Sequence, residues 1–515
     1  MSNKKLFNVI DPIVFWVSAI IAIAFIVWGW AAPDSMNSAV NSIQGFLLSN
    51  FGWSYLLGAS FFLVFVIVVA FSKYGDIKLG KDGEKPEFTT LTWFAMLFSA
   101  GMGIGLVFWS IAEPMWHYVD PPMGLEPGVM LSMRTTFFHW GLHPWAIFVV
   151  VGLALAYFQF RKGLPALISS TLQPILGDKG LNGPIAKGVD ILAVFATLFG
   201  VATSLGLGAT QITQGLSYVY GIPDGITTIL VVIAVITVLF TVSAVTGIHR
   251  GIRYLSNINI TLAVLFILFF LVIGPTKFIL NLFTESIGVY FQNILHMSFW
   301  SDTVDQTGWL GGWTVFYWAW WIAWAPFVGG FIARISRGRT IREFLMGVLF
   351  APVLMSFFWL SSFGGAAFYA ELFGSGGIAE SATGNAATAL FVTLSHYPMA
   401  ALMSTLATIM IATFFITSAD SATYVLGMLT SKGDLEPIAS LRIFWGTVNG
   451  AIAAVLLVIG GLGALQTASI ASAFPFMIVM FFMSYALVKA LRQEFEGNVY
   501  VGSKANVYAG GKAVK

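Results

Sequence analysis

Long apolar runs separated by short polar stretches repeat along the whole chain. A helix needs roughly 20 apolar residues to cross a bilayer, and runs of that length predict twelve helical spans at about 10–31, 52–72, 91–118, 134–159, 188–219, 225–247, 254–275, 309–333, 343–369, 396–428, 440–461 and 466–488. The runs do not alternate with the period of two of a membrane strand, which excludes a β-barrel. The first run, Ile10 to Trp30, is too long for a signal-peptide core and has no small-residue cleavage site, so it reads as a retained helix.

The polar positions test that count, because Lys and Arg are retained on the cytoplasmic side. With the amino terminus inside, all but two of the 25 basic residues fall on the inner side, and only Arg134 and Lys277 fall outside. One missed or invented span would scramble this alternation, so both termini are expected in the cytoplasm. Between spans, Phe278 to His296 is amphipathic and is expected to lie along the outer membrane surface. Residues 370–395 are Gly- and Ser-rich and read as an external loop, and the tail after Arg492 holds little that folds alone.

Two spans are long and interrupted: span three by Ser99 to Gly105, and span eight by Pro326 with Gly329 and Gly330 beyond. Paired breaks point to inverted-repeat transporters, whose binding sites use unwound backbone lining a cavity. Five spans from each break give two units, and because five is odd they have opposite topology. The division is then 1–90 for the tail and two extra helices, 91–275 for the first repeat, 276–308 for the surface helix, 309–490 for the second repeat and 491–515 for the short tail.

Composition agrees. The chain has 515 residues, of which 58% are hydrophobic and 9% charged, as in a polytopic membrane protein. It has no cysteine, hence no disulfide, thiolate metal site or thiol nucleophile, and a net charge of +2 makes nucleic acid an unsuitable partner.

The densest candidate chemistry is Trp313 to Pro326, with five tryptophans and a tyrosine. At 100° per residue, Tyr317, Trp321 and Trp324 share a helix face, and Trp320 joins Trp324 by an i, i+4 step. Such rings form either a headgroup belt or a cage for a quaternary ammonium group, which each indole face attracts by roughly 0.5–2 kcal/mol. Depth divides the run: Trp309 and Trp313, near the outer end, fit a belt, while Trp320, Trp321 and Trp324 lie too deep for one. Gly101, Gly103 and Gly105 in span three either expose backbone carbonyls or allow close helix packing. Thr417 and Ser418 in span ten either bond back to their own helix or, with those carbonyls, offer the oxygen shell a hard monovalent cation prefers. Glu113 and Asp420 are charges inside spans, suited to structural hydrogen bonding or gating, or to direct contact with substrate or ion. His139 and His143, four apart, lack a third metal ligand at suitable spacing. The absence of HExxH, GxSxG and cysteine argues against an embedded enzyme.

Several motifs together resemble the betaine/choline/carnitine transporter family across essentially all twelve spans: Gly101 to Gly105, Phe138-His139-Trp140 through His143-Pro144-Trp145, Trp318 to Trp324, Ala333 to Arg339, and Thr417 to Ser421. The resemblance implies an all-α, leucine-transporter-like core of two inverted five-helix repeats preceded by two helices, in a homotrimer in the bacterial inner membrane, surrounded by lipid. It implies sodium-coupled symport of glycine betaine or a similar zwitterionic or cationic onium solute for osmoprotection, with no cofactor beyond sodium as coupling ion. The implied cage is Trp140, Trp145, Phe148 and Trp321, with Trp320, Trp324, Met102 and Gly105 beside it; betaine carriers usually have tyrosine at Phe148. Proton-coupled choline carriers tend to have Asp where this chain has Gly105, so the chain looks like the sodium type. The implied sodium ligands are carbonyls of Ser99, Met102 and Phe414 and hydroxyls of Thr417 and Ser418. A second site would use Thr197, but Val201 stands where its partner hydroxyl is expected. Other expectations of the same class are sodium-independent carnitine/γ-butyrobetaine exchange and carriage of choline, ectoine or dimethylsulfoniopropionate. The short, mildly basic tail implies weak or absent osmotic regulation.

Overall fold

The computed structural model describes residues 9–101, 103–246 and 248–510. Within them lie helices α1 (Pro12–Ala31), α2 (Pro33–Phe71), α3 (Thr90–Gly101), α4 (Ile104–Val119), α5 (Val129–Trp140), α6 (Leu142–Ala156), α7 (Gln173–Gly180), α8 (Pro184–Tyr220) and α9 (Ile226–Thr246). They continue as α10 (Ile248–Val272), α11 (Thr276–Phe299), α12 (Phe316–Ile335), α13 (Ile341–Phe373), α14 (Ile378–Gly384), α15 (Ala389–Ser395), α16 (Ala400–Thr430) and α17 (Ala439–Gly510). No strand occurs among the described residues; a single isolated bridge joins Lys78 and Thr340. Helices start where the chain offers a cap. Asp11 accepts from the Val14 amide at 3.3 Å ahead of Pro12, and Thr340 and Glu343 form a reciprocal capping box ahead of α13.

The protein is an all-helical polytopic membrane protein. Among the described residues nine helices are long and apolar enough to cross a membrane, or ten if the stretch from Asn257 to Val272 is joined to α11 across its 108° bend. Counting that bent pair, ten falls two short of the twelve expected segments, for two reasons. Span three is divided into α3 and α4, each too short alone, while the last two expected segments lie within α17, whose backbone leaves helical geometry at Gly460 and Gly461. The bend before α11 fits a helix lying along the surface.

Burial runs from the outside in. The outer faces of α1 and α2 expose Ile20, Val27, Val64 and Val68, whereas every residue of α6 is buried. Two of the segments expected inside, those after spans two and eight, meet each other. Arg334, Arg337 and Arg342 pair with Glu87, Glu84 and Asp76 at 3.0, 2.6 and 2.7 Å. Arg339 lies 4.0 Å over the Trp93 ring.

Four expectations are corrected. Pro326 does not interrupt span eight: α12 runs through it unbroken, and the irregular turn is a π-turn at Gly311–Val315. Gly329 instead permits close packing on α6, where a Cβ would stand 2.8 Å from Val151. Residues 370–395 are not a loop but carry α14 and α15, whose Ile378, Ala379 and Ala382 are buried. The tail after Arg492 continues α17 to Gly510, and Glu494 is held by Arg161 and Lys162, each at 2.7 Å. Finally, Trp309 and Trp313 are not a headgroup belt. Both are buried, Trp309 donating to the Asp120 carbonyl at 3.0 Å and Trp313 packing edge-on against Trp109. Exposed tryptophans suited to a belt are Trp16, Trp28, Trp30 and Trp53 on α1 and α2.

Candidate functional site

Span four has a break that the sequence reading did not anticipate. The residue after α5 is Gly141, whose φ of −96° and ψ of −132° depart from the helix, and α6 restarts at Leu142. A Cβ at Gly141 would stand 2.5 Å from the Phe137 carbonyl and 2.9 Å from the Tyr290 hydroxyl. The Leu142 amide, left without a helical acceptor, donates to that hydroxyl at 3.2 Å. Helix α11 therefore closes the break through Tyr290. Trp140 ends α5, while Trp145 and Phe148 begin α6.

Around this break four rings adjoin. Trp140 meets Trp321 of α12 at 4.9 Å and 75°, Trp321 meets Phe148 at 5.8 Å and 85°, and Phe148 meets Trp145 at 5.8 Å and 86°. Successive planes turn by nearly a right angle, so faces and edges enclose a corner instead of stacking away. All four rings are at most 4% exposed. Trp320 backs Trp321 in parallel at 5.1 Å and 13°. The rings expected from resemblance are thus brought together.

The orientations of Trp140, Trp320, Trp321 and Trp324 are fixed by their indole N–H groups. Trp321 donates to the His139 carbonyl at 3.0 Å. The Gly200 carbonyl of α8 accepts from Trp324 at 2.8 Å and from Trp320 at 3.3 Å. Trp140 donates to Glu113 Oε2 at 2.7 Å, which also accepts from the Tyr317 hydroxyl at 2.5 Å. The other carboxyl oxygen, Oε1, faces His139 Nδ1 at 2.7 Å and His117 Nε2 at 3.2 Å. Of the expected roles for Glu113, the structure displays the hydrogen-bonding one. Asp420 is likewise engaged, by Arg442 at 2.8 Å and Ser243 at 3.0 Å.

His139 and His143 do not converge on a common point. His139 Nε2 faces Thr314 at 2.9 Å and His143 Nε2 faces Ser298 at 3.0 Å. The three potential ligands that do meet are Glu113, His117 and His139, within 4.8 Å of one another. Ligands of a tetrahedral zinc at 2.0–2.1 Å stand roughly 3.3 Å apart, so the 2.7 Å contact of Glu113 with His139 is a hydrogen bond. Sequence spacing missed this trio, although His117 follows Glu113 by one helical turn.

Beside the cage, span three breaks between Gly101 and Ile104, with Gly103 extended. A Cβ on Gly103 would stand 3.4 Å from Trp324 Cη2 and 3.6 Å from Ser418 Oγ, so the break adjoins the Ser418 hydroxyl of span ten. Gly105 lies against Trp320 Cη2, which a Cβ would approach to 2.3 Å. Its place is filled by an indole edge, and a larger residue requires Trp320 to move. Met102 and the Ser99 side chain lie outside the described residues. Phe414 is buried, and its carbonyl accepts from the Thr417 hydroxyl at 3.1 Å, with the Thr413 carbonyl an alternative at 3.0 Å. Thr417 and Ser418 are half-buried.

A residue the sequence reading passed over completes this region. Asn259 of α10 donates to Thr417 Oγ1 at 3.1 Å, while its Oδ1, also buried, has no partner in the protein. The signal was an amide side chain within an apolar span. Thr197, the possible second-site ligand, bonds back to the Ala193 carbonyl at 2.8 Å, and the Val201 beside it is apolar and buried.

Comparison with known proteins follows the same lines. A family profile described as betaine/carnitine/choline family transporter matches residues 13–496. A probable glycine betaine transporter of Desulfitobacterium hafniense is 53% identical over 488 residues, 93% of this chain and 97% of the relative. The glycine betaine transporter OpuD of Bacillus subtilis is 54% identical over 487 residues, covering 93% and 94% of the two chains. An ectoine/hydroxyectoine transporter of Virgibacillus pantothenticus is 44% identical over 494 residues, covering 95% and 97%.

Proposed function

The chain belongs to the betaine/carnitine/choline transporter family, and from that premise we propose that it imports glycine betaine or a similar methylated onium solute together with sodium, by alternating access. The observation that carries the substrate is the corner of four rings at Trp140, Trp145, Phe148 and Trp321. A trimethylammonium group has no N–H to donate, so rings serve it better than hydrogen-bond acceptors. A glycine betaine transporter and a probable one are more than half identical to it over their aligned residues.

Support for sodium comes from the oxygen-rich region beside the cage. Gly103 at the span-three break approaches Ser418, and Thr417 stands one residue earlier on span ten. Sodium moving down an inside-negative potential releases about 2.3 kcal/mol per 100 mV, in addition to its concentration term. A zwitterionic betaine adds no net charge, so sodium carries the electrical drive. An ion bridging spans three and ten stabilises one of their arrangements and thereby shifts the inward–outward equilibrium. In this reading the chain crosses twelve times with both termini cytoplasmic, and spans 3–7 and 8–12 are the repeats.

The test is uptake of labelled glycine betaine into proteoliposomes with and without an inward sodium gradient. Accumulation that requires the gradient is expected; equal uptake in both overturns the coupling. Counterflow with carnitine, choline, ectoine and dimethylsulfoniopropionate ranks the remaining substrates.

A further inference from the structure

Glu113 is a fully buried carboxyl within a membrane protein, and it is not one of the four rings. Burying such a group without partners costs several kcal/mol, and an apolar residue would fill the space more cheaply if only packing mattered. Its partners come from three helices: His117 from its own helix α4, Trp140 and His139 from α5, and Tyr317 from α12. All four are buried.

Two of the four lead to the cage. Trp140 is itself a wall, and the hydrogen bond to its indole N–H fixes the plane of that ring. His139 offers its backbone carbonyl to the Trp321 indole, so holding His139 holds a second wall. Tyr317 stacks on His139 at 4.6 Å and 14° and lies behind Trp321 at 6.1 Å and 29°. We propose that Glu113 is a positioning residue of the cage: it sets the angle between the Trp140 and Trp321 faces and so determines how strongly they grip a quaternary ammonium group. Cation–π attraction depends on the cation lying over a ring face, whereas contact of an uncharged methyl cluster with the same rings is non-directional. The carboxyl thus sets the preference for a charged head over an uncharged one of equal shape.

This inference rests on the onium-substrate reading, and the test separates the two. Purified full-length protein is titrated, with tryptophan fluorescence as readout, against glycine betaine and against 3,3-dimethylbutanoate, its uncharged-head carbon isostere. Glu113→Gln removes acceptor capacity from a site where an indole N–H, a phenol O–H and two imidazoles converge; loss of a hydrogen bond of this charge-assisted class corresponds to about tenfold weaker betaine binding. Binding of the isostere is expected to change less than about twofold, since it lacks the cation–π component. Trp140→Phe, which has no indole N–H, is expected to show the same selective loss, and adding Glu113→Gln to it is expected to cost little more. Wild-type protein that is folded but does not bind betaine overturns the substrate reading. Wild-type binding with both probes unchanged, or equally weakened, in Glu113→Gln overturns the positioning role. Should Glu113→Gln not fold, Glu113→Asp, which keeps the carboxyl but withdraws it by one methylene from the Trp140 indole, decides: selective loss of betaine upholds the proposal, and unchanged or uniform binding overturns it.

Discussion

Two neighbouring regions of the core are built in opposite ways. In the cage, rings are nearly unexposed and the indole N–H groups of Trp140, Trp320, Trp321 and Trp324 all find acceptors. At the span-three break, Thr417 and Ser418 are half-buried, and Asn259 keeps an unpartnered oxygen. The first region is preorganised, with little left to arrange when a ligand arrives. Under the proposed function the second supplies oxygens to a cation, and it lies where two separate helices, α4 and α16, approach each other. A carrier needs both: a rigid recognition surface, and a joint whose energy changes on ion binding.

Three substitutions break or sharpen this contrast. The largest effect is expected for Trp321→Ala, which removes a wall touching two others; betaine binding weakens about a hundredfold, as expected for loss of a desolvated cation–π face. Equilibrium binding measures it, and normal affinity would sink the cage. Ser418→Ala comes next. It deletes a hydroxyl at the break and is expected to raise the sodium concentration for half-maximal uptake about tenfold, a hydrogen-bond-sized loss of roughly 1.4 kcal/mol. The cage is untouched, so betaine affinity at saturating sodium stays near wild type; if both constants move together, the regions are not separable. The smallest effect is expected for Asn259→Ala, about threefold in the sodium constant, because it removes one neutral hydrogen bond to Thr417. An unchanged sodium dependence would place Asn259 outside the ion region.

The two regions also differ in how far the sequence revealed them. Apolar run length located most of the helical segments, since it follows from the cost of polar groups in hydrocarbon. The meeting of the four rings was legible once the tryptophan spacing was joined to the resemblance. The break at Gly141 was not, because a lone glycine carries no sign of whether it kinks a helix or packs it. Pro326 erred in the other direction: proline lacks one N–H, yet the remaining turns of a buried helix hold it straight. Glu113 was recognisable as a charge needing a reason, but its partners Trp140 and Tyr317 lie 27 and 204 positions away. Hydrophobic patterning has no term for such meetings.

The seam at Gly141 has a meaning for heredity and for chimera building. The bend is written in two distant places, a glycine that leaves no room for a side chain and Tyr290, whose hydroxyl receives the stranded Leu142 amide. Segments containing residues 134–159 and 276–299 therefore travel as a single unit, and a hybrid that inherits one from a donor lacking the other inherits a lock without its key.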